Sequence, residues 1–180
     1  MKWLLSFTTL FVAGFALANP YAGQQQRSIK ALSDDEVKGY LAGSGAGFAR
    51  AAELNSHPGP MHALELAEPL GLSAAQREQL AALMANHKAE ARGLGAEVVR
   101  LERELDALYA ERRATREAVE AKAAQIGAAQ ARYRASHLTT HIETARMLTG
   151  EQIARYDLLR GYGGGATGDA HWGGHSRHAH

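Results

Sequence analysis

The fold is decided between Leu72 and Tyr156, a stretch that opens and closes with two copies of one motif, Leu72-Ser73-Ala74-Ala75-Gln76 and Leu148-Thr149-Gly150-Glu151-Gln152. In each copy a hydroxyl residue is followed three positions later by a glutamine. This spacing is typical of a capping box, in which the hydroxyl accepts a hydrogen bond from the first helical turn and the glutamine bonds back to the cap residue. Each motif therefore predicts the start of a helix.

Between the motifs, the side chains that face a partner recur every seven positions. In the first helix the two rows, offset by four, are Leu80, His87, Leu94, Leu101, Leu108 and Met84, Ala91, Val98, Leu105. After a turn predicted at residues 111–115, the rows of the return helix are Val119, Ile126, Tyr133, Thr140, Met147 and Ala123, Gln130, His137, Thr144. This pattern predicts two helices packed lengthwise, and the same stripe also suits a coiled coil between chains. We therefore predict an all-α fold built on a long antiparallel helical hairpin.

Residues 19–71 are expected to add extra short helices before the hairpin domain, residues 72–160. Ser33 and Glu36 form a third capping box that predicts a helix to about Leu41. Further short helices are predicted at residues 48–54 and 61–68. In the first long helix, Gly93 and Gly95 each weaken helix formation by about 1 kcal/mol relative to alanine and allow a bend or the close approach of another element.

The first 18 residues have the pattern of a secretory signal peptide. Lys2 precedes an apolar run, and Ala16-Leu17-Ala18 fits a cleavage site after Ala18. The apolar run is short for a membrane span, which needs about 20 residues. We therefore expect a periplasmic protein, with an uncleaved membrane anchor as the alternative.

Charge and motif content exclude several classes of function. Removal of residues 1–18 takes away one lysine, so the 20 basic residues become 19 and equal the 19 acidic residues. Nucleic acid is not an expected partner of a chain without a basic excess. The chain contains no cysteine, so disulfides and thiolate metal sites are absent. It carries no recognised catalytic motif, and we expect no enzyme activity.

Three histidines are predicted to converge inside the hairpin. With a turn near residues 112–114, His87 lies opposite residues 138–140, which His137 and His141 flank on one helical face. Glu90, one turn from His87, is a candidate fourth ligand. Imidazole and carboxylate groups suit Zn, Cu, Ni or Co, although no cofactor is required by the sequence. The alternative is a hydrogen-bonded His87 in the seam and an exposed His141.

Residues 161–180 form a Gly- and His-rich tail that we predict to be flexible. Its histidines can chelate a late transition metal, and the alternative is a polar end without a metal role. These candidate ligands are His171, His175, His178 and His180.

The signal peptide and the two Leu-Ser/Thr-x-x-Gln motifs around a helical hairpin resemble the Spy/CpxP family of bacterial periplasmic proteins, which includes heavy-metal sensors and ZraP-like members. The resemblance covers residues 72–160, and the first motif departs from the family pattern by having Ser73 in place of threonine. It implies an all-helical, cradle-shaped homodimer that works without ATP. ZraP-like members carry histidines in Gly-rich termini, which the tail is similar to.

Two functions follow from this resemblance. The leading hypothesis is an envelope-stress protein with ATP-independent, chaperone-like binding of unfolded clients or of an inner-membrane stress or metal regulator. The alternative is a periplasmic heavy-metal sensor or metal-buffering resistance protein. The extra helices of residues 19–71 bear on this choice, because a segment that covers the cradle would obstruct simple client binding.

Overall fold

The computed structural model describes residues 20–162, which form six α-helices and no β-strand. The helices are α1 (Asp34–Ala42), α2 (Arg50–Glu53), α3 (Pro60–Glu65), α4 (Ala74–Ala110), α5 (Arg116–Met147) and α6 (Gly150–Leu159). The predicted all-α fold with a long helical hairpin is therefore confirmed. No helix in this part of the chain is both long enough and apolar enough to cross a membrane.

Helices α4 and α5 are the antiparallel arms of the hairpin. Ser73 caps α4 by accepting a hydrogen bond from the N–H of Gln76, and Thr115 caps α5 by accepting one from Ala118. The turn between them occupies residues 111–115, as predicted. Arg112 adopts a left-handed backbone conformation there, with φ of 56°.

The two rows predicted for each arm face inward. In α4 every row member is buried or half-buried, including Leu80, Val98 and Leu101. In α5 the exception is Ala123, which is exposed close to the turn, whereas Ile126 and Tyr133 are buried. The heptad spacing therefore located the hairpin core correctly.

The two motifs meet at the open end of the hairpin and form one unit. The side-chain amide of Gln76 donates to Oε1 of Gln152 at 2.8 Å, and that of Gln152 donates to Oε1 of Gln76 at 3.2 Å. Leu72 and Leu148 are buried beside them in a cluster that also contains Tyr156. The capping boxes of α4 and α6 are both present, so each glutamine caps its own helix and joins the other.

The segment before the hairpin lies against it, with α1 and α3 on α4 and α2 on α5. Helix α1 crosses α4 at Gly95, where an added Cβ would lie 2.0 Å from the carbonyl oxygen of Tyr40. Close approach is therefore the role of Gly95. An added Cβ at Gly93 would meet nothing within 4 Å.

Helices α2 and α3 are shorter than predicted. The left-handed conformations of Ala46 and Gly47 delay the start of α2, and Ala49 provides no side-chain cap. Helix α3 ends at Glu65 because residues 66–71 form successive turns that lead to the left-handed Gly71.

Candidate functional site

A cavity of about 760 Å³ lies between the segment before the hairpin and the two long helices. The hairpin contributes His87 from α4 and His137 and His141 from α5. The opposite wall comes from residues 42–62, and the C-terminal end contributes Arg160 and Tyr162. All three histidines that the sequence singled out in the hairpin therefore line one space.

His137 is the most constrained of these histidines. It is 6% exposed, and its Nδ1 lies 2.9 Å from the carbonyl oxygen of Tyr133, one turn earlier in α5. A carbonyl only accepts hydrogen bonds, so Nδ1 is the protonated nitrogen, and in the neutral ring the lone pair is on Nε2. That Nε2 atom is buried and has no hydrogen-bond partner among residues 20–162. The side chain therefore presents an unused, oriented electron-pair donor.

Aromatic rings hold His137 in place. The rings of His87 and Tyr133 lie edge-on to it, with centroids at 4.6 and 4.7 Å, and Phe48 packs at 6.1 Å. Tyr133 is itself fixed by donating its hydroxyl to the carbonyl of Ser44 at 2.5 Å. Burial raises the pKa of Tyr133 to about 12, so the phenol stays protonated.

His87 is half-buried and less tightly held. Its Nδ1 lies 3.4 Å from the hydroxyl of Ser136, which donates at 2.9 Å to the carboxylate of Glu90. Burial lowers the pKa of His87 below its ordinary value, and the neighbouring His137 lowers it further. The ring is therefore predominantly neutral near pH 7, as a metal ligand must be.

His141 is oriented from the opposite wall. Its Nδ1 donates to the carbonyl of His57 at 2.8 Å, so in the neutral ring the lone pair is again on Nε2. The ring packs so closely on Gly59 that an added Cβ there would lie 2.8 Å from Cε1. The alternative of an exposed His141 is wrong, since this side chain is buried.

A buried carboxylate, Glu53, connects this wall to α6. It accepts hydrogen bonds from the Tyr156 hydroxyl at 2.9 Å and from the Gly59 N–H at 3.2 Å, and its Oε1 lies 3.9 Å from Nδ1 of His141. Burial, followed by the bond to Glu53, raises the pKa of Tyr156. Sequence reasoning missed Glu53, because nothing near it in sequence marks a contact with a residue so distant along the chain.

The structure brings part of the predicted metal site together. His87 and His137 are in ring contact, whereas Glu90 is engaged by Ser136. Among residues 20–162, no three His, Asp or Glu side chains are positioned to hold a metal ion in this conformation. The metal site therefore stays a prediction. The tail histidines, His171, His175, His178 and His180, lie outside the described residues, as does the signal-peptide pattern of residues 1–18.

Comparison with known proteins gives one finding. A family model described as heavy-metal resistance matches residues 39–155, which is more than half of the chain. The match includes the hairpin, helices α2 and α3, the end of α1 and all three cavity histidines. No curated protein and no solved structure matches the chain.

Proposed function

The chain belongs to the heavy-metal resistance family, part of the Spy/CpxP-like helical group, and from this premise we propose that it binds a divalent transition metal at the cavity histidines. The family is of the resistance and sensor type rather than enzymatic. Zn, Cu, Ni and Co are the candidate metals, because neutral imidazole suits all four.

The observation that carries this proposal is the unsatisfied Nε2 atom of His137. A buried polar atom without a partner lowers the stability of a folded protein by about 1–3 kcal/mol, so such atoms are rare and often mark a functional site. Metal-binding histidines usually donate their other ring N–H to a carbonyl or carboxylate, which fixes the tautomer. His137 and His141 both have this arrangement, through the carbonyls of Tyr133 and His57.

His137, His141 and His87 are the residues that would hold the ion. The Met84 thioether also lines the cavity and offers a softer donor. Because the three rings do not form a ready ligand set in the described conformation, binding requires side-chain movement. His87 is the ring best able to move, since it is half-buried and its nearest polar contact is 3.4 Å long.

Calorimetric titration of each metal into the metal-free protein tests the proposal. We expect sub-micromolar binding of at least one metal, and a loss of about 100-fold or more in affinity for His137→Ala. His57→Ala is the matched control, because that exposed side chain bonds only to the nearby carbonyl of Asn55.

A second variant separates the cavity from the tail. Removal of residues 163–180 keeps Tyr162, which packs against the cluster at the open end of the hairpin. Tight binding that persists in this shortened chain supports the cavity. Binding that disappears with the tail and is unchanged in His137→Ala would contradict the proposal.

The place of action proposed for this chain is the periplasm, on the basis of the signal-peptide pattern of residues 1–18. Cell fractionation and N-terminal sequencing of the exported protein test this, and we expect a mature chain that begins at Asn19. A chain retained in the cytoplasm with Met1 intact would contradict it. An inner-membrane metal regulator is the partner that such a location favours, with a homodimer as the proposed assembly.

Chaperone-like binding of clients is the second candidate. The observation in its favour is a set of large apolar side chains on the surface, among them Leu158 at 68% and Leu54 at 60% exposure. Against it, α1, α2 and α3 occupy a face of the hairpin. Suppression of aggregation of an unfolded client without nucleotide, and its loss in Leu158→Ser, would favour this function over metal binding alone.

A further inference from the structure

The cavity is larger than a metal ion needs, and much of its wall is apolar. Its volume of about 760 Å³ lies within the range of about 300–1,000 Å³ that is typical of small-molecule sites. Apolar surface comes from Leu54, Pro60 and Met61 on one side and from Met84 on the other. A hydrocarbon group is the natural occupant of such a wall, because its transfer from water is favourable.

Two unpaired cationic side chains border the same space. Arg50 of α2 and Lys88 of α4 both line the cavity, and neither side chain has a hydrogen bond or a carboxylate partner within residues 20–162. Most other basic side chains of the long helices are paired. Examples are Arg100 with Glu104, Lys122 with Glu104, and Arg132 with Glu97.

The acidic side chain of the cavity does not offset these two charges. Glu53 is buried, and its carboxylate already accepts from Tyr156 and Gly59 and lies 3.9 Å from Nε of Arg160. A ligand in the cavity therefore meets an apolar wall, imidazole rings and an excess of positive charge. This combination is complementary to a molecule with a hydrocarbon chain and a single negative charge.

We propose that the cavity binds an amphipathic monoanion of the long-chain carboxylate class, with its hydrocarbon chain against Met61 and Met84 and its carboxylate near Lys88 and Arg50. This function goes beyond metal binding, and its charge is bound by side chains that are not among the proposed metal ligands. The hydrocarbon chain supplies most of the affinity, because each buried methylene contributes about fourfold in binding. Each exposed cation contributes about two- to fivefold, the usual size of a surface ion pair.

Calorimetric titration with dodecanoate tests the proposal on the purified full-length protein. We expect saturable one-to-one binding, with octanoate about 200-fold weaker because it has four fewer methylenes. Dodecanol, which lacks the charge, and dodecylammonium, which reverses it, are both expected to bind more weakly than dodecanoate. Equal binding of all three twelve-carbon compounds, or no saturable binding of dodecanoate, would overturn the proposal.

Charge variants identify the site. The double variant Lys88→Gln with Arg50→Gln is expected to bind dodecanoate about tenfold more weakly and to bind dodecanol unchanged. Arg103→Gln is the matched control, because Arg103 is an exposed, unpaired cation of α4 outside the cavity. An equal loss in the control would indicate general charge attraction and would contradict a site at the cavity.

Metal titration of the same double variant keeps the two functions separate. Neither Lys88 nor Arg50 is a metal ligand in the proposed function, so metal affinity should be retained in this variant. If dodecanoate fails to bind while the metal binds, the carboxylate site alone is refuted. If dodecanoate binds and no metal does, the metal function is refuted and the carboxylate site is supported.

Discussion

The two motifs at the open end of the hairpin and the histidines in its middle differ in how far their polar atoms are hydrogen-bonded. At the motif end the oxygen and nitrogen atoms of the Gln76 and Gln152 side-chain amides all have partners, including the carbonyls of Met147 and Leu70. In the cavity, Nε2 of His137 and Nε of Arg160 are buried and have no hydrogen-bond partner in the described part of the chain.

This contrast separates stability from function within one pair of helices. A buried, fully bonded polar network stabilises a specific packing, and the removal of one member leaves its partners unsatisfied. A buried donor atom without a partner lowers stability and leaves a place for a ligand. The same kind of substitution should therefore have opposite effects at the two locations.

The largest expected change in the free energy of unfolding comes from a substitution next to the cavity wall and away from the two motifs. In Gly95→Ala the new Cβ would collide with the Tyr40 carbonyl of α1, which leads directly into the cavity wall. We expect a loss of about 3 kcal/mol in the free energy of unfolding, measured with urea. Gly93→Ala is the control and should gain about 1 kcal/mol, since its Cβ meets nothing. Equal responses would show that α1 does not rest on Gly95.

The motif end is tested by Gln76→Ala. The side chain bonds to Ser73, Met147 and Gln152, so we expect a loss of about 2 kcal/mol in the free energy of unfolding. The matched control, Gln79→Ala, lies one turn away on the same helix, is exposed and has no side-chain hydrogen bond, and it should change little. A Gln152→Ala partner in a double-mutant cycle should show coupling between the two glutamines. Additive effects would mean that the motifs act only as separate caps.

At His137 a substitution is expected to raise the free energy of unfolding rather than lower it. Phenylalanine keeps a flat ring among Tyr133, His87 and Phe48 and removes the unpaired Nε2 atom. We expect His137→Phe to raise the free energy of unfolding of the metal-free protein by about 1 kcal/mol and to weaken metal binding strongly. Thermal unfolding with and without metal measures both effects. A destabilised variant would show that His137 is a structural residue.

The smallest effect concerns Glu102, a buried carboxyl that lies outside the cavity and has no hydrogen-bond partner within residues 20–162. Burial raises the pKa of this carboxyl, so the folded protein binds its proton more tightly than the unfolded chain does. Stability is then full below the ordinary pKa of 4.5 and falls as the pH rises through the raised value. Glu102→Gln should remove this fall and add less than about 1 kcal/mol at pH 7. Unfolding curves at pH 4 and pH 7 should therefore differ less in the variant.

Local and periodic signals were sufficient to predict the hairpin. Capping boxes involve residues three apart, and the heptad rows need only the regular geometry of a helix, so Ser73, Thr149 and the buried rows were found from sequence. The turn at residues 111–115 followed from the break between those rows. The meeting of His87 with His137 followed from the turn position.

Contacts between distant residues were not predictable in this way. Gln76 and Gln152 are 76 positions apart, and Glu53 and Tyr156 are 103 apart. Each motif was interpreted as a cap, which explains its residues without any bond between the two copies. In the sequence, the contact of Tyr40 with Gly95 is indicated only by the glycine itself. Gly93, which has no such contact, cannot be distinguished from Gly95 in this way.

The bond between Glu53 and Tyr156 also has a consequence for the order in which the molecule assembles. Helical contacts between neighbouring segments form early, whereas closing a loop of this length has an entropic cost that must be met before the contact forms. The hairpin can therefore be in place while residues 45–60 are still undocked, with His137 and His141 open to solvent. We expect the cavity to close last, so that a metal ion present during folding reaches His137 and His141 before the wall encloses them.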